Sequence, residues 1–173
     1  MSKLSPEEFV RRTMEGVYAL ALRLTGNPSD AWDLAQETLV KAVKSLAAFR
    51  DESDPRTWAY RITVNAWKNR VASAGERFRR ATEPLEAPDG GPRPLPAGDP
   101  PADEPLERAE RKAAVEAALA GLEPEDRACL QLREFDALSY EEIAGTLQIP
   151  VGTVKSRLHR ARLALAKALE RYR

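Results

Sequence analysis

The chain has 173 residues, 27 basic and 27 acidic side chains, one cysteine and one histidine, enough for one domain or two small ones with a core apiece. No apolar run is long enough to span a bilayer and no apolar leader opens the chain, so a cytoplasmic protein without membrane insertion is expected. A Cys/His metal site, a glycine-rich phosphate loop and a Ser-His-Asp set are all missing, so the chain reads as non-enzymatic, with no catalytic residue, metal or cofactor.

The neutral total is an average over unlike segments. Residues 1–81 hold 14 basic and 10 acidic side chains, residues 82–107 hold 1 and 7, and residues 108–173 hold 12 and 10, with 7 to 1 over 155–173. Two weakly basic blocks flank an acidic one, so a nucleic-acid partner is compatible with zero net charge.

In chain order, Ser5-Pro6-Glu7-Glu8 reads as a capping box with proline in the first turn, opening a helix through Val17, Leu20 and Leu24 that ends at Gly26. Asn27-Pro28 starts a second helix, predicted to about Ala48. Its Ala31, Leu34, Ala35, Leu39, Ala42 and Leu46 form one apolar stripe, and Asp33, Gln36, Glu37, Val40 and Lys44 lie opposite. Such a face is ordinarily just solvated, but Val40 among polar residues suggests a partner surface. After the polar loop Phe49–Ser53, Asp54-Pro55 starts a third helix, predicted to about Arg80.

That third helix carries two apolar arcs, Trp58 with Ile62 and Tyr60 with Val64, Trp67 and Val71, leaving Thr57, Arg61, Asn65 and Lys68 along an edge. Trp58 and Trp67 are expected in the core. Cations and an amide beside aromatics suit a groove for single-stranded nucleic acid.

Residues 82–107 contain eight of the thirteen prolines and three of the nine glycines, which marks a flexible linker rather than a fold. Beyond it, helices over about 106–121 and 124–135 precede the most informative stretch, LSYEEIAGTLQIPVGTVKSRLHRAR, residues 138–162. Ser139 and Glu142 stand at capping-box spacing, Ala144 is small enough for a close helix crossing, and Gln148-Ile149-Pro150 breaks the chain. The following helix buries Val154, Leu158, Ala161 and Leu165 at i, i+4, i+7 and i+11. Its outer side carries Gly152, Ser156, His159 and Arg160, with Thr153 and Lys155 at the edges. A glycine for close approach beside donors for base edges and phosphates is what a helix-turn-helix needs in a major groove. Cys129, in an apolar run, reads as a small core residue.

Three of these stretches, in order, resemble the RNA polymerase sigma factors of the extracytoplasmic-function type (sigma-70 family, group 4). DAWDLAQETLVKAVKSLAAFR is similar to the family's region 2.2, TWAYRITVNAWKNRV to regions 2.3–2.4 and LSYEEIAGTLQIPVGTVKSRLHRAR to region 4.2. The chain departs from the family pattern at Trp32, where an acidic residue is usual, at Ala59, usually leucine, and at Gln148, often glycine. His159 falls at a variable recognition position.

The resemblance implies an all-α protein of two small helical domains: a three-helix sigma region 2 over 1–81 and a four-helix sigma region 4 with the helix-turn-helix over 108–173, joined by the Pro-rich linker 82–107. It implies core RNA polymerase binding by Asp33, Gln36, Glu37 and Val40. The unpaired strand of the −10 element would be held by Phe49, Arg50, Arg61, Asn65 and Lys68. The duplex −35 element would be read by Gly152, Thr153, Lys155, Ser156, His159 and Arg160. Core polymerase, promoter DNA and an anti-sigma factor are the implied partners of a monomer, and the acidic linker would thread the polymerase's RNA exit path. Twenty-six extended residues reach at most roughly 80 Å, enough to hold the two domains apart on two promoter elements. Two alternatives are a helix-turn-helix regulator acting on duplex operators without polymerase, and a pure protein-binding scaffold.

Overall fold

The computed structural model describes residues 4–49, 54–81 and 106–170, and the side-chain surroundings of all of these except 77–81 and 106–107. Within them the elements are α1 (Pro6–Thr25), α2 (Pro28–Lys44), a 3-10 turn (Leu46–Ala48), α3 (Pro55–Ala81), α4 (Leu106–Ala120), α5 (Pro124–Glu134), α6 (Tyr140–Leu147) and α7 (Val151–Ala168). No strand occurs among the described residues, and the all-α expectation holds. Arg50 and the linker, with its expected path, lie outside the described residues.

Local chemistry sets most of the boundaries. Ser5 Oγ accepts the Glu8 N–H at 3.1 Å, satisfying one orphan donor of the first turn. The expected reciprocal bond is replaced by a Glu8–Arg12 pair at 2.8 Å. Gly26 ends α1 at φ 68°, the left-handed geometry that glycine adopts without penalty. Asn27 Oδ1 then accepts from the amides of Ser29 and Asp30, and Asp54 Oδ1 from the amide of Arg56 at 2.7 Å. The second helix stops earlier than predicted. The Ser45 hydroxyl donates back to the Lys41 carbonyl at 2.7 Å and its amide divides between Lys41 and Ala42, so the last turn tightens into the 3-10 segment.

The first three helices form one unit. Val17, Leu20 and Leu24 of α1 meet Ala31, Leu34 and Ala35 of α2, and all are buried. Tyr60, Val64 and Trp67 of α3 close the core, each large buried side chain contributing about 1.5–3 kcal/mol. Trp58 and Ile62 are half-buried rather than enclosed, and Val71 is exposed. The second arc of α3 therefore ends at Trp67.

In the second unit α7 packs on α4, α5 and α6. Ser139 and Glu142 make a complete capping box, the hydroxyl accepting at 3.1 Å and the carboxylate at 2.7 Å. Gln148 turns the chain at φ 55°, and Ile149 N–H donates to the Ala144 carbonyl at 3.1 Å. A left-handed non-glycine residue there costs roughly 1–2 kcal/mol. Val154, Leu158 and Ala161 are buried as predicted, and Leu165 packs half-buried beside them.

The two units do not stand apart. α5 and α6 pack on α1 and α3, and Asp136, in the turn between α5 and α6, is the pivot of the contact. Its Oδ2 accepts from Arg23 at 2.6 Å and its Oδ1 from the Tyr60 hydroxyl at 2.9 Å. Arg56 in turn donates to the Tyr60 oxygen at 2.9 Å. Lys68 pairs with Glu125 at 2.8 Å. Arg127 donates to the Arg23 carbonyl at 3.3 Å with its guanidinium 5.9 Å from the Trp67 ring centre. The units dock directly because each presents charged groups whose partners lie on the other.

Candidate polymerase and nucleic-acid interfaces

The outer face of α2 is shaped by what its inner face buries. With Ala31, Leu34, Ala35 and Thr38 inward, Asp33, Gln36 and Val40 are exposed and Glu37 is partly covered. Val40 is 53% exposed, a large apolar side chain given to solvent in the middle of a polar row. Glu37 differs from its neighbours. Its Oε2 accepts from Nε and Nη2 of Arg70 at 3.0 and 2.6 Å, and its Oε1 from Lys41 at 2.5 Å. Those bonds outweigh partial burial and hold its carboxyl below the usual range. Glu37 therefore ties α2 to α3 as well as contributing to the outer face. Trp32 is half-exposed and meets Tyr18 edge-on at 5.6 Å, so the departure from the family pattern places an aromatic, not a carboxylate, beside that face.

On α3 the packing of Ala59, Thr63, Val64 and Ala66 turns Thr57, Arg61, Asn65 and Lys68 toward one edge. Trp58 is held there by aromatic contacts on both sides, edge-on to Phe9 at 5.5 Å and tilted against Phe49 at 5.2 Å. Phe49 thus joins the predicted set through Trp58, beyond the end of α2. Across a cleft of about 490 Å³, Asp54, Thr57, Trp58 and Arg61 face Glu142, Gly145 and Thr146 of α6. Lys68 and Arg61, the cations predicted to meet a strand, therefore look onto acidic residues of the second unit. Glu125 is lowered from the ordinary carboxyl range, chiefly by the Lys68 bond.

On α7 the inward turn of Val154, Leu158 and Ala161 leaves Gly152, Lys155, Ser156, His159 and Arg160 exposed, with Thr153 at the edge. Among the described residues a Cβ added at Gly152 would meet nothing within 4 Å, so no contact with them requires glycine there. Ser156 donates back to the Thr153 carbonyl at 2.9 Å. Among the described residues neither Lys155 nor His159 makes a side-chain hydrogen bond or ion pair.

Arg160 is on the expected side but its fork is occupied. Nε and Nη2 donate to the two oxygens of Asp126 at 2.9 and 2.8 Å, the bidentate geometry that a guanine edge would also demand. Asp126 is itself buried. The pair fastens α7 to α5.

Asp126, Glu125, Arg127 and Asp136 were not singled out from the sequence. Acidic residues in the first turn of a proline-started helix are accounted for by the helix dipole alone, and nothing local marks a turn aspartate as a partner of Arg23. Cys129 is buried as expected, and desolvation pushes its thiol up to about 11, leaving it unreactive. Among the described residues no group of acidic, histidine or cysteine side chains is placed to hold a metal.

Comparison with known proteins bears on these surfaces. The sequence profile of Sigma-70 region 2 matches residues 9–77 and that of Sigma-70, region 4 matches residues 112–165. The chain is 37% identical over 169 residues to the ECF RNA polymerase sigma factor SigE of Mycolicibacterium smegmatis, spanning 96% of this chain and 62% of that protein. It is 38% identical to the RNA polymerase sigma-H factor of Pseudomonas aeruginosa, spanning 89% of this chain and 80% of the relative. Among solved structures, the sigma factor RpoE of Bartonella quintana, in complex with the anti-sigma factor NepR, shares the fold. Its TM-score is 0.70 at 24% identity, covering 95% of this chain and 96% of that one. CnrH, in complex with the cytosolic domain of CnrY, aligns at TM-score 0.63 and 26% identity, covering 95% and 87%. A duplex-operator regulator or a scaffold would leave the match over residues 9–77 unaccounted for, so both alternatives fall. The chain belongs to the extracytoplasmic-function sigma factors of the sigma-70 family.

Proposed function

We propose that the chain is a promoter-specificity subunit that binds core RNA polymerase and directs promoter recognition, melting and initiation, the chemistry remaining with the polymerase. Residues 1–81 act as region 2 and residues 108–173 as region 4, with 82–107 as their tether. The row Asp33, Gln36, Glu37 and Val40 contacts the polymerase. Phe49, Arg50, Arg61, Asn65 and Lys68 hold the unpaired −10 strand, and Gly152, Thr153, Lys155, Ser156 and His159 read the −35 duplex. In this reading Arg160 orients α7 through Asp126 and reaches DNA only by exchanging that partner. The protein works in the cytoplasm as a monomer, and an anti-sigma factor restrains it.

The observation that carries this reading is the outer row of α7. Gly152, Lys155 and His159 are exposed on a helix whose other side buries Val154, Leu158 and Ala161, and no contact within the described chain accounts for their identity. Transcription in vitro with purified core polymerase and a promoter library tests it. The expected result is initiation from a subset of promoters with defined −35 and −10 elements only when the chain is added. Tight binding to duplex DNA alone, with no stimulated transcription, would overturn the reading.

A further inference from the structure

The end of α1, the second half of α3 and the junction of α4 with α5 border a cavity of about 710 Å³. That volume lies within the roughly 300–1,000 Å³ of small-molecule sites. Its walls are largely apolar, with Leu24, Val71, Leu122 and Pro124 beside Trp67 and Arg127. Val71, left 38% exposed, faces this space.

Arg127 is the unusual member. It is only 9% exposed, yet among the described residues no carboxylate pairs with it and its Nε has no hydrogen-bond partner. Its Nη2 reaches the neutral Arg23 carbonyl at 3.3 Å, and its guanidinium lies 5.9 Å from the centre of the Trp67 ring. The two acidic residues before it in the chain are taken, Glu125 by Lys68 and Asp126 by Arg160. Burial lowers its titration with no neighbouring carboxylate to raise it again. Buried charges are ordinarily paired and buried polar atoms bonded. Arg70, the other cation on the lining, is already satisfied by Glu37.

We propose that this cavity is a binding site for a small apolar monocarboxylate, its carboxylate paired with Arg127 and its body against Leu24, Val71, Leu122 and Pro124. A guanidinium fork matches a carboxylate with two parallel hydrogen bonds. One charge suits the site better than two, because Arg127 is the single cation left to pair and Asp30 on the lining repels further negative charge. None of the residues assigned to polymerase or promoter lines the cavity, so the site is additional to those surfaces and does not depend on their assignment.

The test titrates the full chain with naphthoate and with decanoate, a flat and a linear acid, by isothermal calorimetry. NMR of backbone amides and arginine Nε–H groups locates the site. The matching alcohols, naphthylmethanol and decanol, and inorganic phosphate serve as controls. At least one acid is expected to bind saturably at one site, shifting the amides of Leu24, Val71 and Leu122 and the Arg127 Nε–H. Its alcohol should bind about tenfold or more weakly, the loss of a charge-assisted bond, and phosphate should not compete. Arg127→Met should bring the acid down to the affinity of the alcohol without lowering the melting temperature, since an unpaired buried charge is exchanged for an apolar chain. Ala74→Trp, at an exposed position on the lining, fills the cavity while leaving the charge, and should abolish binding of acid and alcohol alike. Should Arg127→Met fail to fold, Ala74→Trp and the difference between acid and alcohol carry the test.

Binding of neither acid would overturn the proposal, as would equal binding of acid and alcohol or shifts that avoid the cavity. Binding seen only after the acidic side chains of residues 83–104 are changed to amides would assign the cavity to the chain's own acidic segment, and would overturn it too.

Discussion

Gly16 lies on α1 where the Tyr60 phenol reaches across toward Asp136. A methyl group there would come 2.6 Å from the Tyr60 oxygen and 3.3 and 3.4 Å from two ring carbons. The ring cannot yield freely, because the same oxygen is bonded to Arg56 and Asp136, both at 2.9 Å. Gly16→Ala therefore sets two effects against each other. Alanine in a helix interior gains about 0.5–1 kcal/mol over glycine. Forcing a well-packed core apart costs about 1–3 kcal/mol, and displacing the phenol weakens its bond to a charged partner. The structure predicts a net loss of about 1–2 kcal/mol, with the steric term prevailing.

Tyr60→Phe removes the atom at 2.6 Å and leaves only the tight contacts above 3 Å. In that background Gly16→Ala should be close to neutral. A double-mutant cycle followed by urea denaturation measures the difference as a coupling energy. Stabilisation by Gly16→Ala in the otherwise unchanged chain, or equal effects in both backgrounds, would refute the argument that Gly16 makes room for the phenol.

Three further outcomes are expected. Asp33→Lys should weaken core polymerase binding in a pull-down without lowering the melting temperature, while Glu37→Lys should lower both, because Glu37 also joins α2 to Arg70 of α3. Lys155→Ala should reduce binding roughly evenly across a −35 library and lessen the salt slope by about 1, whereas His159→Ala should change sequence preference. Glu142 is held below the usual carboxyl range by the Ser139 amide and hydroxyl. Its contribution is complete above the ordinary carboxyl pKa and is lost as pH falls through the lowered value. Acid melts of Glu142→Gln should lack that component, and Ser139→Ala should cost about 1 kcal/mol at neutral pH.

The sequence alone determined the local features of this protein. Ser5, Asn27 and Asp54 with the prolines beside them, and Ser139 with Glu142, started helices where they were read, and the α7 stripe placed Val154, Leu158 and Ala161 inside and Lys155, Ser156 and His159 outside. Caps, left-handed turns and a 3.6-residue period depend on neighbours within about one helical turn, so they are legible without the fold. Glu37, Arg160 and Lys68 were placed on the right faces by the same logic, but what they touch was not. Arg70, Asp126 and Glu125 reach them from 33, 34 and 57 residues away along the chain, and Arg23 and Asp136 meet across 113. A charged side chain at an exposed-looking position is equally compatible with water, DNA or another helix. Only the tertiary structure decided which cation took which carboxylate, because that choice is made by how helices distant in the sequence pack, within each unit for Glu37 and Arg160 and between the units for Lys68 and Arg23.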